Sequence, residues 1–205
     1  QALGRLLPDA AAAYFAQGLA AAGARFRFNI SIARVDRAED GFVLLDAQGK
    51  DYSADLVLSA VGLRPETELA RAAGLDIKRG IVTDKLLATS EPDVFAVGDC
   101  VDVQGLVLPF VLPIMQQARA LAKTLAGTAT AVSYPAMPVV VKTPACAAVV
   151  CPPPSGTAGA WREEVEATGV RALFEDAEGK PLGFSLVGAA VKEKQALAAL
   201  MPAWL

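Results

Sequence analysis

The chain contains no histidine among its 205 residues. That absence removes imidazole general acid/base chemistry and histidine metal ligation from consideration. Cysteine is scarce as well. Cys100, Cys146 and Cys151 neither build a secreted disulfide framework nor form a compact metal site, and a reducing cytosol suits them better. There is no basic excess: the formal net charge is -3 and the pI about 5.1, which leaves no electrostatic footprint for nucleic acid. Long hydrophobic runs are missing too, because the most apolar tract, residues 139–150, is broken by Lys142 and Pro144 and is too short to span a bilayer. Finally, no G-x-G-x-x-G occurs, so the phosphate-cradling loop of a dinucleotide site is absent.

What is present reads as globular: 54% of residues are hydrophobic and 20% charged, enough for a sizeable core in one or two domains. Residues 8–22 form an alanine-rich helix pattern, with Pro8 and Asp9 at the start and Gly23 at the end. The alternation of Phe26, Phe28, Ile30 and Ile32 with polar residues predicts a strand. Turn residues at 39–41 and 48–50 bracket a further strand over residues 42–46 as part of a small antiparallel meander. After a loop expected over residues 101–111, Pro113 opens a helix that runs to Leu125 and closes at Gly127. Beyond residue 128 the character changes. Strands are predicted over residues 137–142, 147–151, 170–174 and 183–186, a turn around Gly179, a loop over residues 152–159 and a terminal helix over residues 192–201.

Two short segments carry the chemistry. Asp93-Val94-Phe95-Ala96-Val97-Gly98-Asp99-Cys100 reads as a strand buried on both faces that ends in Gly-Asp. Gly98 lets a ligand approach the backbone, and Asp99 at the strand's carboxyl end is an acceptor for sugar hydroxyls, where open α/β sheets bind ligands. Upstream, Leu56-Val57-Leu58-Ser59-Ala60-Val61 reads as another buried strand, ended by Gly62, after which Arg64-Pro65 opens an extended loop. In this order, with Thr89-Ser90-Glu91-Pro92 leading into the Gly-Asp segment, the two resemble the pyridine nucleotide-dependent FAD oxidoreductases.

The resemblance implies an α/β fold with an α+β C-terminal domain, part of a two-dinucleotide-binding flavoprotein. Residues 1–54 would be the second half of an NAD-binding domain, residues 55–127 the second half of an FAD-binding domain, and residues 128–205 a C-terminal interface domain. The family carries one glycine fingerprint for FAD and one for NAD. Both would precede Gln1, so the chain is expected to be the C-terminal portion of a longer flavoprotein whose missing N-terminal portion supplies them. Asp99 and Gly98 would hold the ribityl chain. Gly62 would sit near a cofactor or domain crossing, although a plain strand-ending glycine explains it equally well. The backbone amides of Ile114, Met115 and Gln116 at the helix start would face the pyrimidine edge of the flavin and stabilise its charge on reduction.

Gly4-Arg5-Leu6-Leu7-Pro8, the run from Leu112 to Leu121 and Pro138-Val139-Val140-Val141-Lys142-Thr143-Pro144 resemble the branch of the family that passes electrons from NADH through FAD to rubredoxin. Ferredoxin reductases of oxygenases and FAD-dependent nitrite reductase subunits share similar motifs. Lys142 is either a cation near the flavin, where it would neutralise the reduced ring or meet an acidic carrier, or a strand-edge lysine that keeps its head in water. Arg64 and Arg119 read as solvated surface charges. Cys146 and Cys151 share the C-x-x-x-x-C spacing of a redox disulfide in glutathione-reductase relatives, but the triple proline that follows favours core packing. A disulfide reductase would also lack the usual His-Glu acid/base pair. On its own the chain is expected to be an inactive fragment or an interaction module.

Overall fold

The structure is a computed structural model that describes residues 1–4 and 6–205. Helix α1 (Asp9–Ala21) begins after Pro8, as expected from a residue whose missing N–H would be unpaired anyway, and stops at Ala22, with Gly23 at φ +98 turning the chain. A three-stranded antiparallel meander follows, β1 (Ile32–Ala38), β2 (Gly41–Asp46) and β3 (Asp51–Ala54), in the order β1-β2-β3. Its second turn is fixed by Asp46. The buried carboxylate accepts the N–H groups of Gln48 and Lys50, each at 2.9 Å, and the Tyr52 hydroxyl at 3.0 Å. These bonds, the Lys50 N–H foremost, hold the carboxyl below its ordinary pKa.

Helix α2 (Glu68–Ala72) leads to a short parallel pair, β4 (Ile81–Thr83) and β5 (Val101–Val103), and then to α3 (Val111–Leu125). A five-stranded antiparallel sheet completes the chain. Its strands are β6 (Val139–Val141), β7 (Ala148–Cys151), β8 (Ala160–Glu166), β9 (Gly169–Glu175) and β10 (Pro181–Gly188), in the order β6-β7-β10-β9-β8. A 3-10 turn (Ala189–Glu193) and α4 (Lys194–Ala198) follow it.

The sheet is covered on both faces, and period two decides which residue goes where. Ala148 and Val150 of β7 and Val187 of β10 face Ala11, Ala12 and Phe15 of α1. Their neighbours Val149, Cys151, Phe184 and Leu186 face Leu197 of α4 and Met201. The first helix of the chain is thus seated on the last sheet. A third core gathers Leu87, Val101, Val103, Ala120, Val132 and Tyr134 around β5 and α3, with Trp204 and Leu205 packed against it.

Several expectations need correction. Residues 25–31 form no strand, and the ladder begins only at Ile32; Phe26 and Phe28 instead stack on each other at 5.5 Å. Residues 56–61 form no strand and no bridge. Leu58 is 81% and Val61 94% exposed, so the predicted buried strand finds no sheet among the described residues. Residues 94–97 are likewise not a strand: Phe95 makes one isolated bridge to Ala88, Ala96 is buried, and Val94 and Val97 are exposed. All three are apolar stretches whose ladder partners are absent from the described residues, and a strand cannot form alone.

Three strands occupy predicted loops or gaps, of which β4 lies in a stretch with no predicted element. β5 lies in the expected loop over residues 101–111, and β8 was concealed by its charged, exposed sequence at a sheet edge. The strand predicted over residues 137–142 shortens to β6, and the terminal helix divides into the 3-10 turn and α4.

Candidate functional site

The two motif segments meet. Leu63, Arg64, Pro65 and Glu66 from the first, and Asp99 and Cys100 from the second, line one open cleft of about 310 Å³ together with Pro109. The cleft therefore joins segments more than thirty residues apart and ends two residues before α3.

Gly98 lies at φ +112, in the region that favours glycine, and an added Cβ would meet nothing within 4 Å. Backbone conformation alone demands the glycine, and the open space beside it leaves the main chain accessible. The neighbouring Asp99 carboxylate is exposed. Gly62, at φ +102 and equally unobstructed, immediately precedes Leu63 on the cleft wall. Arg64 is exposed, and it forms no ion pair with Asp99 or Glu66 among the described residues.

Helix α3 starts at Val111 with Phe110 as N-cap, two residues before the proline expected to open it. Pro113 falls in the first turn, where its missing N–H costs nothing. By helix geometry the longer start draws the amides of Ile114, Met115 and Gln116 into the first turn's ladder and leaves those of Val111 and Leu112 as the unpaired donors. Met115 is exposed, and Ile114 and Gln116 are half-buried. Lys142 follows β6 as an exposed side chain outside the cleft. Its burial, the premise of a forced charge partner, is not met.

Gln117, which carried no expectation from the sequence, stands directly behind the turn. Its side chain is buried, 2% exposed, and its Oε1 accepts the Gly98 N–H at 2.7 Å while its Nε2 donates to the Tyr134 hydroxyl at 2.8 Å. The spacing of Pro113, Gln117 and Ala120 as the buried face of α3 was the available signal, a polar residue on an apolar stripe. Tyr134 is fully buried, which pushes its phenol pKa up.

The cysteines are free thiols. Cys146 and Cys151 are buried in the C-terminal domain as core residues, and burial pushes Cys151 up to about 11. Among the described residues no group of three or more His, Cys, Asp or Glu side chains could hold a metal ion, and no helix is long and apolar enough to cross a membrane.

Comparison with known proteins places the chain in a family. The sequence is 50% identical over 199 residues to a rubredoxin-NAD(+) reductase of Alcanivorax borkumensis, covering 97% of this chain and 52% of that protein. It is 45% identical over 203 residues to the rubredoxin-NAD(+) reductase of Acinetobacter baylyi, covering 98% and 52%. The chain thus spans about half the length of the curated relatives it matches. Its fold matches the crystal structure of a ferredoxin reductase for the CYP199A2 system from Rhodopseudomonas palustris at a TM-score of 0.81 and 25% identity, over 98% of this chain and 52% of that one. Residues 131–201 match the rubredoxin binding C-terminal domain. Residues 1–129, which contain both motif segments and α3, match the pyridine nucleotide-disulphide oxidoreductases, and the chain belongs to that family.

Proposed function

We propose that the chain is the C-terminal portion of an FAD-dependent NADH oxidoreductase that delivers electrons to rubredoxin. The observation that carries this reading is the cleft in which residues 63–66, just after Gly62, and Asp99-Cys100, just after Gly98, meet beside Pro109, two residues before α3. The residues there fit a flavin dinucleotide: an exposed carboxylate to accept sugar hydroxyls, an unobstructed glycine backbone, and a helix start with unpaired amides. When bound, FAD supplies hydride acceptance from NADH and release of single electrons to an iron centre.

The chain's own residues then have limited tasks. Asp99 anchors the ribityl hydroxyls, Gly98 keeps the backbone close, and Gly62 lets the chain turn beside the cofactor. The start of α3, with Ile114, Met115 and Gln116 behind the free amides of Val111 and Leu112, sets a positive potential toward the pyrimidine edge. Lys142, exposed beyond β6, serves an acidic carrier better than the flavin. No nucleophile or general base is needed, which suits a chain without histidine.

The domain scheme remains that of residues 1–54, 55–127 and 128–205, with α1 of the first seated on the sheet of the last. The carrier is assigned as rubredoxin on the strength of the relatives' names and of the match over residues 131–201. The alternative, a ferredoxin reductase of an oxygenase, rests on a likeness of 25% identity. A reducing cytosol is the setting we infer, since three free thiols, two of them buried, suit it.

The test is a comparison of this chain alone with the whole protein. The whole protein should show flavin absorbance and NADH-dependent reduction of rubredoxin, and the 205 residues alone should show neither. Robust NADH-driven dye reduction by the 205 residues alone would overturn the division of labour. A whole protein that binds flavin but reduces ferredoxin in place of rubredoxin would move it to the alternative branch.

A further inference from the structure

Behind the cleft lies a hydrogen-bonded chain with no part in the reaction as described. The Gly98 N–H donates to Gln117 Oε1 at 2.7 Å, and Gln117 Nε2 donates to the Tyr134 hydroxyl at 2.8 Å. Tyr134 is in turn clamped by residues 204 and 205: its N–H donates to the Leu205 carbonyl at 3.1 Å, and its carbonyl accepts the Trp204 N–H at 2.7 Å. Both side chains are nine-tenths or more buried, at 2% and 0% exposure. The path also crosses a boundary, because Gln117 lies within the oxidoreductase match and Tyr134 within the rubredoxin-binding match.

A buried amide on the apolar face of a helix is costly unless both of its ends are satisfied. Here they are, and in one orientation only. The Gly98 N–H can donate but not accept, so it fixes Oε1 toward the turn and Nε2 toward Tyr134. The bond lands on the residue whose φ of +112 gives the turn its shape, one position before Asp99. The far end of the turn is tied to β4 by the Ile81 N–H on the Cys100 carbonyl at 2.7 Å, whereas at Gly98 the other bond is a 3.3 Å contact from the Val101 N–H to its carbonyl, with open space beside the residue.

We propose that Gln117, oriented by Tyr134, is the positioning residue that sets the Gly98-Asp99 turn for the flavin, so that the C-terminal domain shapes the flavin site from behind. The inference rests on the reading of Asp99 as a flavin ligand, and its test separates the two.

The decisive variant is Gln117→Leu with Tyr134→Phe. Removing both partners leaves no unpaired buried side-chain group, so the fold should be retained where either single change strains it. In that double variant the thermal midpoint should stay near the parent's. Hydrogen exchange of the Gly98 amide in this chain should accelerate at least tenfold, and FAD dissociation from the whole protein should rise by a similar factor, with a shifted flavin absorption band. A residue that merely supported the core would change the midpoint and leave the Gly98 amide and the flavin band untouched. Tyr134→Phe alone should give a smaller acceleration, because Gln117 can still reach Gly98 but is no longer oriented.

Asp99→Ala serves as the control. If it releases flavin while the double variant binds FAD as the parent does, the positioning role is wrong and the site reading stands. If Asp99→Ala leaves FAD affinity unchanged, the site reading fails, and unchanged Gly98 exchange in the double variant would separately defeat the hydrogen-bond chain.

Discussion

Glu163 of β8 caps α1 from 153 residues away. Its two carboxylate oxygens accept the Ala10 N–H at 3.0 and 2.9 Å, and Oε1 also accepts the Ala11 N–H at 3.1 Å. Pro8, the N-cap residue, has no side chain able to do this, so the helix borrows its cap from the sheet. Replacing Glu163 with Ala removes a cap, typically worth about 1 kcal/mol, and a charge at the positive end of the helix dipole, worth about 0.3–1 kcal/mol, for a loss of about 1.5–2 kcal/mol. The rest of α1 should stay in place, because Ala11, Ala12 and Phe15 are buried against the sheet. For a chain of this length each kcal/mol lowers Tm by about 2–4 °C, so thermal unfolding followed by circular dichroism should show a fall of roughly 3–8 °C. Glu163→Gln retains an acceptor and loses only the charge, and its smaller deficit should shrink as salt is raised. An Ala variant that melts with the parent would refute the assignment of Glu163 as the cap that joins the first helix to the last domain.

Asp99→Ala in the whole protein should weaken FAD retention by about 10- to 100-fold, as expected when hydrogen bonds to a charged acceptor are lost, and fluorescence titration of released flavin measures it. Thiol labelling at mildly alkaline pH should modify Cys100, which is half-exposed, well before Cys146 and Cys151; equal rates for all three would contradict the buried core. Cys151 holds its proton in the fold to about pH 11 where an ordinary thiol loses it near 9, so its contribution to stability is complete below the lower value and declines as pH rises toward the higher. Urea melts across that window should therefore show a steeper alkaline loss for the parent than for Cys151→Ala. Lys142→Met should raise the KM for an acidic carrier a few-fold at low salt and leave the flavin reduction potential unchanged, the pattern of a rim charge. A shifted potential would return Lys142 to the flavin.

What the sequence reveals depends on whether an element's partners are close in the chain. The meander follows from turn residues and alternation because β1, β2 and β3 pair with immediate neighbours. Most of the C-terminal sheet is readable for the same reason: β9 and β10 are joined by the turn at Gly179, and Val149 and Val150 advertise β7. β8 escapes because an edge strand with Arg162, Glu164 and Glu166 exposed, and with a charged Glu163 turned toward α1, carries no apolar pattern. The reverse failure, over residues 56–61 and 94–97, has the opposite cause. Those segments have the composition of buried parallel strands, and parallel strands take their partners from distant chain. They lie open here as an apolar surface of Leu56, Leu58 and Val61, with Val94 and Val97 also exposed.

The same distinction explains the site. Gly98 and Asp99 can be read locally, since a strand pattern ending in Gly-Asp is a one-dimensional signal. Gln117 cannot, because its role exists only when α3 lies behind the turn and Tyr134 lies behind α3. A buried Gln with no partner in its own helix is nevertheless a recognisable anomaly. An apolar face at helical spacing tolerates a polar residue only if distant chain satisfies it, so the place where the pattern is broken marks where that chain must arrive. In this protein what arrives is the Gly98 N–H of the candidate flavin turn on one side and a tyrosine of the C-terminal domain on the other, so the interruption in the pattern of α3 marks one of the contacts, beside the seat of α1 on the last sheet, that join the two parts of the molecule.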